Sequence, residues 1–319
     1  LKRDSAETNF FYYNLAIESP QKIQCDIYSA RIKAVDNGED AYTQISRYLK
    51  KAIAEHKSGN KLDQFFSYTG DGSYSNSLVA WTPETHTIRE QMPKVFDREG
   101  RARFIRYNFS EYPKDDVINM LKREDLDLSI FHEHGVPERM YLSGSAATQT
   151  WNAHMDAMKY YWRGLARRYE NRPKDFKEML ERMEKRYGLD STWIAGWNDP
   201  KVIEEDSLLD LRTGIILPEV TQMKPNSRMV IFDACYNGDF REKDYIAGRF
   251  IMAEGKTVVT FANSVNVLQD KMANEMLGLL GMGARVGQWA KLTNILESHI
   301  TGDPTIRFKS INEVDCNEL

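Results

Sequence analysis

Two residues of this chain are placed to do covalent chemistry, Cys235 and His134. Cys235 follows Arg228–Asp233, in which Met229, Val230, Ile231 and Phe232 form an apolar run too short for a helix. The run therefore reads as a buried strand. It ends in Ala234-Cys235-Tyr236-Asn237-Gly238, small and turn-forming residues. Well upstream, Leu128–Gly135 (LSIFHEHG) is a second apolar strand, ending in histidines and a glycine. Open α/β sheets form their ligand crevices at the carboxyl ends of strands. Adjacent parallel strands ending in Cys235 and His134 would place a thiol and an imidazole on one rim. A thiolate is a nucleophile, and a nearby imidazole takes its proton or holds it as an ion pair. Acyl transfer also needs donors for the developing oxyanion. The N–H of Gly135, where substrate can approach closely, and the N–H of Cys235 itself are the candidates. Asp71, in the glycine-rich loop after another strand, offers a carboxylate to orient the imidazole.

The elements that must carry these groups alternate. Ile23–Ala34 reads as a strand, with Ile23, Cys25 and Ile27 on one face. Asp36-Asn37-Gly38 is a turn, Glu39 and Asp40 begin a helix, and Ala41, Ile45, Leu49 and Ile53 recur every four residues. Strand Phe65–Thr69, helix Glu84–Phe96, strand Ala102–Asn108, helix Pro113–Leu126 and the histidine strand follow. That rhythm predicts an α/β fold with a central, mostly parallel sheet and helices on both faces. Ala147–Tyr187 departs from it with two long helical patterns separated by Arg172-Pro173, an insertion whose aromatic and Met stripes form its own core. Leu189–Glu219 reads as irregular. After the cysteine strand come helix Phe240–Ala253, strand Thr257–Asn263, helix Lys271–Leu280, helix Val286–His299 and a last strand, Thr305–Lys309. The chain is expected to be one domain over 1–319, with 1–64 as an N-terminal strand and helix subregion and 147–219 as the helical insertion.

Composition narrows the classes. The 319 residues can bury a sizeable core, and charged residues at 28% and hydrophobic ones at 41% are ordinary for a globular protein. A net charge of -4 gives no reason to propose nucleic acid or an anionic membrane as partner. No apolar run approaches the ~20 residues that span a bilayer. The three cysteines, Cys25, Cys235 and Cys316, are too few for a disulfide framework and wrongly spaced for zinc pairs. Cys25 and Cys316 could bridge in an oxidising compartment and leave Cys235 free. The chain opens LKRDSAET, without an initiator Met or a visible signal peptide, which suits a processed or trimmed product.

IFDACYNGDF with the upstream HEHG resembles the catalytic core of gingipain-type cysteine peptidases, within the group that holds caspases, legumains, clostripains and separases. DIYSARIKAVDNGEDAYTQISRYL is similar to that family's Asp-x-x-x-Gly-Arg-Ile strand and following helix, with Ala30 in place of Gly. TGDPTIRF resembles its Gly-Asp-Pro strand, and FFSYTGDGSYSNS the loop that supplies the acid orienting the histidine. The resemblance covers most of Ile23–Phe308. It implies a caspase-like three-layer sandwich and a cysteine endopeptidase working through an acyl-enzyme. Cys235 is then the nucleophile, His134 the base, Gly135 and Cys235 the oxyanion donors, and Asp71 the orienting acid where the family has Glu. Arginine-specific members hold a carboxylate and a Trp in the first specificity pocket. Glu84 and His86 at one helix start, and Asn266, Gln269 and Asp270 after a strand, are the substrate-binding candidates, but no Trp lies near Val265–Gln269. Asp233 stands two residues before the cysteine, as in legumains, rather than three. The resemblance also implies a protein or peptide substrate, no required cofactor, a possible structural calcium, a possible propeptide, and a secreted, periplasmic or cell-surface bacterial setting.

Three other readings use the same residues. His132 and His134, at i and i+2, could share a strand face and bind zinc with His154 or carboxylates, although no spacing supplies the further ligands. Strand alternation turns Glu133 the other way, toward a helix or solvent. The acyl-enzyme could be resolved by an amine, as in the type IX secretion sortases, making the chain a transpeptidase. A degenerate peptidase domain used for binding is the third.

Overall fold

The computed structural model describes residues 2–3, 11–12, 18, 25–71, 78–110, 112–144, 148, 150–267, 273–295 and 297–310. Short strands β1 (Lys2–Arg3) and β2 (Phe11–Tyr12) pair antiparallel. The central sheet uses β3 (Ala30–Arg31), β4 (Phe65–Thr69), β5 (Ala102–Arg106), β6 (Leu128–His132), β10 (Met229–Asp233), β11 (Val259–Asn263) and β12 (Ser298–Gly302). Their order is β3-β12-β11-β10-β6-β4-β5, and every pair is parallel except β11 with β12. A second sheet joins β7 (His134–Val136), β8 (Arg139–Tyr141) and β9 (Gly214–Ile216), all antiparallel.

The continuous apolar strands make sense once both faces are covered. On one face, Val230, Phe232, Phe131 and Tyr68 meet α1 (Ala41–Ser58), α3 (Pro113–Leu121), α7 (Leu217–Met223) and α8 (Ile246–Met252). On the other, Met229, Ile231, Leu128 and Phe261 meet α2 (Leu78–Gln91), α9 (Gly278–Gly281) and α10 (Val286–Thr293). The result is helices, sheet, helices. Phe131 stacks on Phe232 at 5.8 Å, and Phe232 meets Phe250 edge-on at 5.1 Å. Each such fully buried side chain contributes roughly 1.5–3 kcal/mol. No helix among the described residues is long and apolar enough to cross a membrane.

The insertion is α4 (Trp151–Tyr169), α5 (Pro173–Tyr187) and a third helix, α6 (Pro200–Leu211). Its own core holds Trp162, Leu165, Met179, Met183 and Ile194, so the predicted stripes are inward only in part: Trp151 and Met158 of α4 are exposed. The Leu189–Glu219 stretch is therefore not irregular. Asp199 caps α6 through the Lys201 N–H, and Pro200 fits its first turn.

Further expectations about elements change. Of Ile23–Ala34, only Ala30–Arg31 pairs in the sheet; Ile27 is 79% exposed and Cys25 is an exposed free thiol, while residues 21–24 and Cys316 lie outside the described residues. In α1 the buried face is Gln44, Tyr48 and Ala52, one residue off the Ala41-Ile45-Leu49-Ile53 stripe. Two polar anchors turn the helix: Tyr48 donates to the Val258 carbonyl at 2.9 Å, and Gln44 bonds both backbone groups of Val35. The final strand is Ser298–Gly302, not Thr305–Lys309, because α10 ends at Asn294 in the left-handed region and frees the next residues to pair with β11. The start of the Lys271–Leu280 helix lies outside the described residues, and only Gly278–Gly281 is helical within the rest.

Asp206, buried in α6, accepts from both Arg163 and Arg167 of α4. Removing it leaves two guanidiniums short of a partner. Asp206→Ala should destabilise the insertion by on the order of 3–5 kcal/mol. Limited proteolysis should then cut first within 151–211; cleavage no faster than in the wild type would reject the lock.

Candidate active site

β6 and β10 lie side by side, parallel and in register, with Asp233 opposite His132. The two expected strands thus end on the same rim. Past Asp233 the chain turns sharply. Tyr236 takes φ of 56°, Tyr236 N–H donates to the Val265 carbonyl and Gly238 N–H to Asn263. Gly238 is needed there, since a Cβ would fall 2.7 Å from that of Ala262. Asn263 donates from its side chain to the Ala234 carbonyl at 3.1 Å, fixing the backbone just before the thiol. Cys235 is half-buried, and its Sγ accepts the Val267 N–H at 3.4 Å.

Past His132 the chain also bends, at Glu133, and leaves the central sheet. His134 and Gly135 belong to β7, in the smaller sheet. His134 is exposed. Gly135 is buried hard against the cysteine turn, since a Cβ there would lie 2.6 Å from the Cys235 carbonyl and 2.7 Å from the Asn237 amide. Asn237 completes the join by donating to the carbonyls of Val136 at 2.6 Å and Arg139 at 3.0 Å. The structure therefore brings the Cys235 turn and the His134-Gly135 hairpin into direct contact.

Beneath this rim lies a cluster that sequence reading missed. His132 is buried, with Nδ1 2.8 Å from Asp233 and Nε2 3.0 Å from Glu84, which also accepts from Ser67. Burial opposes a charge on His132, but the two carboxylates outweigh it and hold its pKa well above the ordinary value. The group is an imidazolium between two anions. Its in-register pairing was the available signal, because parallel strands of matched length set Asp233 beside His132. Next to it, Glu133 is buried with neither carboxyl oxygen hydrogen-bonded, and burial pushes its pKa well up, so it stays neutral.

Several sequence expectations change here. Glu84 does not face substrate, because its carboxylate is consumed by His132 and Ser67 inside the molecule. Glu133 is not solvated. His132 and His134 share no face, one being buried in the large sheet and the other exposed in the small one, and His154 is exposed on α4 beside Trp151. No group of three potential metal-holding side chains occurs among the described residues. Asp71 lies at the end of β4, its N–H donating to Leu142 and its carboxylate beside Gly144 and Tyr107, whose phenol pKa is raised by burial and by that carboxylate. His86 is exposed on α2, Asn266 is exposed after β11, and Gln269 and Asp270 lie outside the described residues. One further imidazole approaches the cysteine turn from behind. His299 packs edge-on against Phe240 at 4.9 Å, and burial and then Arg31 push its pKa down to about 4, so it is neutral.

Two outcomes follow. Gly135→Ala should push the hairpin off the cysteine turn and lower any Cys235-dependent turnover by about 10²-fold, as misplacements near 1 Å do; wild-type turnover would refute the interlock. His132 has a raised folded pKa, so its stabilisation is full below about 6.5, the unfolded value, and is lost as pH rises through the folded one. His132→Gln should therefore cost on the order of 3–5 kcal/mol near neutrality and below, and less in alkali. Thermal melts across that range measure it, and a pH-independent penalty would show that the imidazole is uncharged.

No family model matches the chain, and no curated protein matches it.

Proposed function

We propose that this chain is a cysteine peptidase with a caspase-like sandwich, related to the gingipain-type group that its HEHG and DACYNGDF segments resemble. The observation that carries the reading is the contact between Gly135 and the Cys235 carbonyl, which sets the residue after His134 against the residue bearing the thiol. The thiol is half-buried, and its sulfur already accepts the Val267 N–H.

In this mechanism His134 takes the Cys235 proton. The thiolate attacks the scissile carbonyl, and the N–H groups of Gly135 and Cys235 stabilise the oxyanion. The imidazolium returns its proton to the leaving amine as the C–N bond breaks. Water, deprotonated by the same imidazole, then cleaves the thioester and regenerates the thiol. The steps need protein groups alone. Asp71 would act on His134 only if its carboxylate left Tyr107 or bridged to the ring. Asn266, exposed beside the sulfur-capping Val267, is the substrate-binding candidate that the reading retains. A protein or peptide substrate, export by a bacterium and release from a propeptide belong to the same reading.

Cys235→Ala should abolish peptide hydrolysis while leaving the melting temperature nearly unchanged, and a thiol-reactive peptide should label Cys235 stoichiometrically. No labelling, with the fold intact, would favour a binding domain. Products in the presence of added amine show whether water or an amine resolves the acyl-enzyme; a predominance of amide product would make the chain a transpeptidase.

A further inference from the structure

Arg139, on β8, occupies a joint that the mechanism above leaves unused. Its carbonyl accepts from Asn237 of the cysteine turn at 3.0 Å. Its guanidinium reaches the opposite way, into the insertion. Nη1 donates to the Asp210 carboxylate, and Nη2 to the Asp210 carbonyl and to Thr213 Oγ1 at 2.9 Å. Asp210 is the penultimate residue of α6, and its other carboxylate oxygen accepts from Tyr160 of α4 at 3.1 Å. Asp210 thus ties Tyr160 of α4 and Arg139 of the small sheet to the end of α6.

The same guanidinium lies over the ring of Tyr141, 4.7 Å from its centroid. Tyr141 is the cross-strand partner of His134. Directly opposed residues on one face of an antiparallel pair are in side-chain reach of each other. The strand leaving the insertion is shaped to the joint as well. Gly214 pairs with Tyr141, and a Cβ at Gly214 would lie 2.8 Å from Arg139 Nε and 2.1 Å from the Met140 carbonyl. With one nitrogen on the Asp210 carboxylate and the other on the Asp210 carbonyl and Thr213, the planar donor array admits few orientations.

We propose that Arg139 is a positioning residue, through which the helical insertion sets the hairpin bearing His134 against the cysteine turn. The insertion then governs catalysis from outside the site, because Asp210 and Asn237 hold the same residue from opposite sides. This inference rests on His134 acting on Cys235 as proposed above.

The test uses the full chain and iodoacetamide, whose reaction with Cys235 reports thiolate and needs no peptidase activity. In the wild type, alkylation should persist well below the ordinary thiol range of about 8.5, and His134→Ala should remove that acid limb. Asp210→Ala, at a partly exposed position, and Arg139→Lys, which keeps the charge but not the fork, should both shift the limb toward the His134→Ala profile. They should also lower kcat about tenfold or more with KM within about twofold. Variants that melt earlier but keep the wild-type alkylation profile and kcat would overturn the positioning role. A wild type whose profile matches that of His134→Ala would instead overturn the Cys235–His134 reading itself, and this inference with it.

Discussion

The carboxyl end of the central sheet depends on one buried charge cluster. His132 sits between Glu84 and Asp233, and each partner comes from a different element: a strand, a helix and the strand that carries the thiol. Taking an imidazolium and its carboxylates out of water is costly, and the cost is offset only where geometry is good and the remaining lone pairs are used. Ser67 supplies one of those further bonds to Glu84. Such a cluster contributes little net stability over an apolar core, but it tolerates few arrangements. It therefore fixes where β6 and β10 stop, and so where the chain is free to turn toward the rim.

From that fixed line the two strands diverge in opposite senses. β10 runs on into a tight turn held by Asn263, Tyr236 and Gly238. β6 bends at Glu133, whose side-chain base packs against Gly70 and whose carboxyl is buried and neutral, and its continuation joins a separate small sheet. Asn237 and Gly135 then close the gap between the two paths. The thiol and the exposed imidazole thus belong to different sheets, and their relation is set by loop packing more than by strand pairing. Residues like these, held by several backbone bonds at a sheet end, are suited to chemistry because the scaffold fixes them before substrate arrives.

The helical insertion gains a role in this arrangement. Its internal core and its Asp206 lock make it rigid by itself. It reaches the small sheet through Asp210 and Thr213, both of which accept from Arg139. A helical arm joined to a hairpin through several donors of one planar guanidinium is suited to transmit position. The fold thereby separates two tasks: the large sheet fixes the sulfur, and the small sheet, braced by the insertion, carries the imidazole.

The sequence alone determined the sheet type, the two strands that flank the site, the turn after the cysteine and the helical character of the insertion. These follow from local patterns: apolar runs too short for helices, four-residue recurrences, and glycines where the backbone must turn. It also determined that the apolar strands preceding Cys235 and His134 are neighbours, although the one before His134 stops at His132. Only tertiary structure decided which face of α1 is inward, because Tyr48 and Gln44 choose it through distant backbone groups. It alone decided that Glu84 pairs with His132 instead of meeting solvent, that the strand breaks between His132 and His134, and that Arg139 links the insertion to the rim. Each of these is a contact between residues far apart in the chain, and its energy depends on burial and partner geometry that no local period encodes.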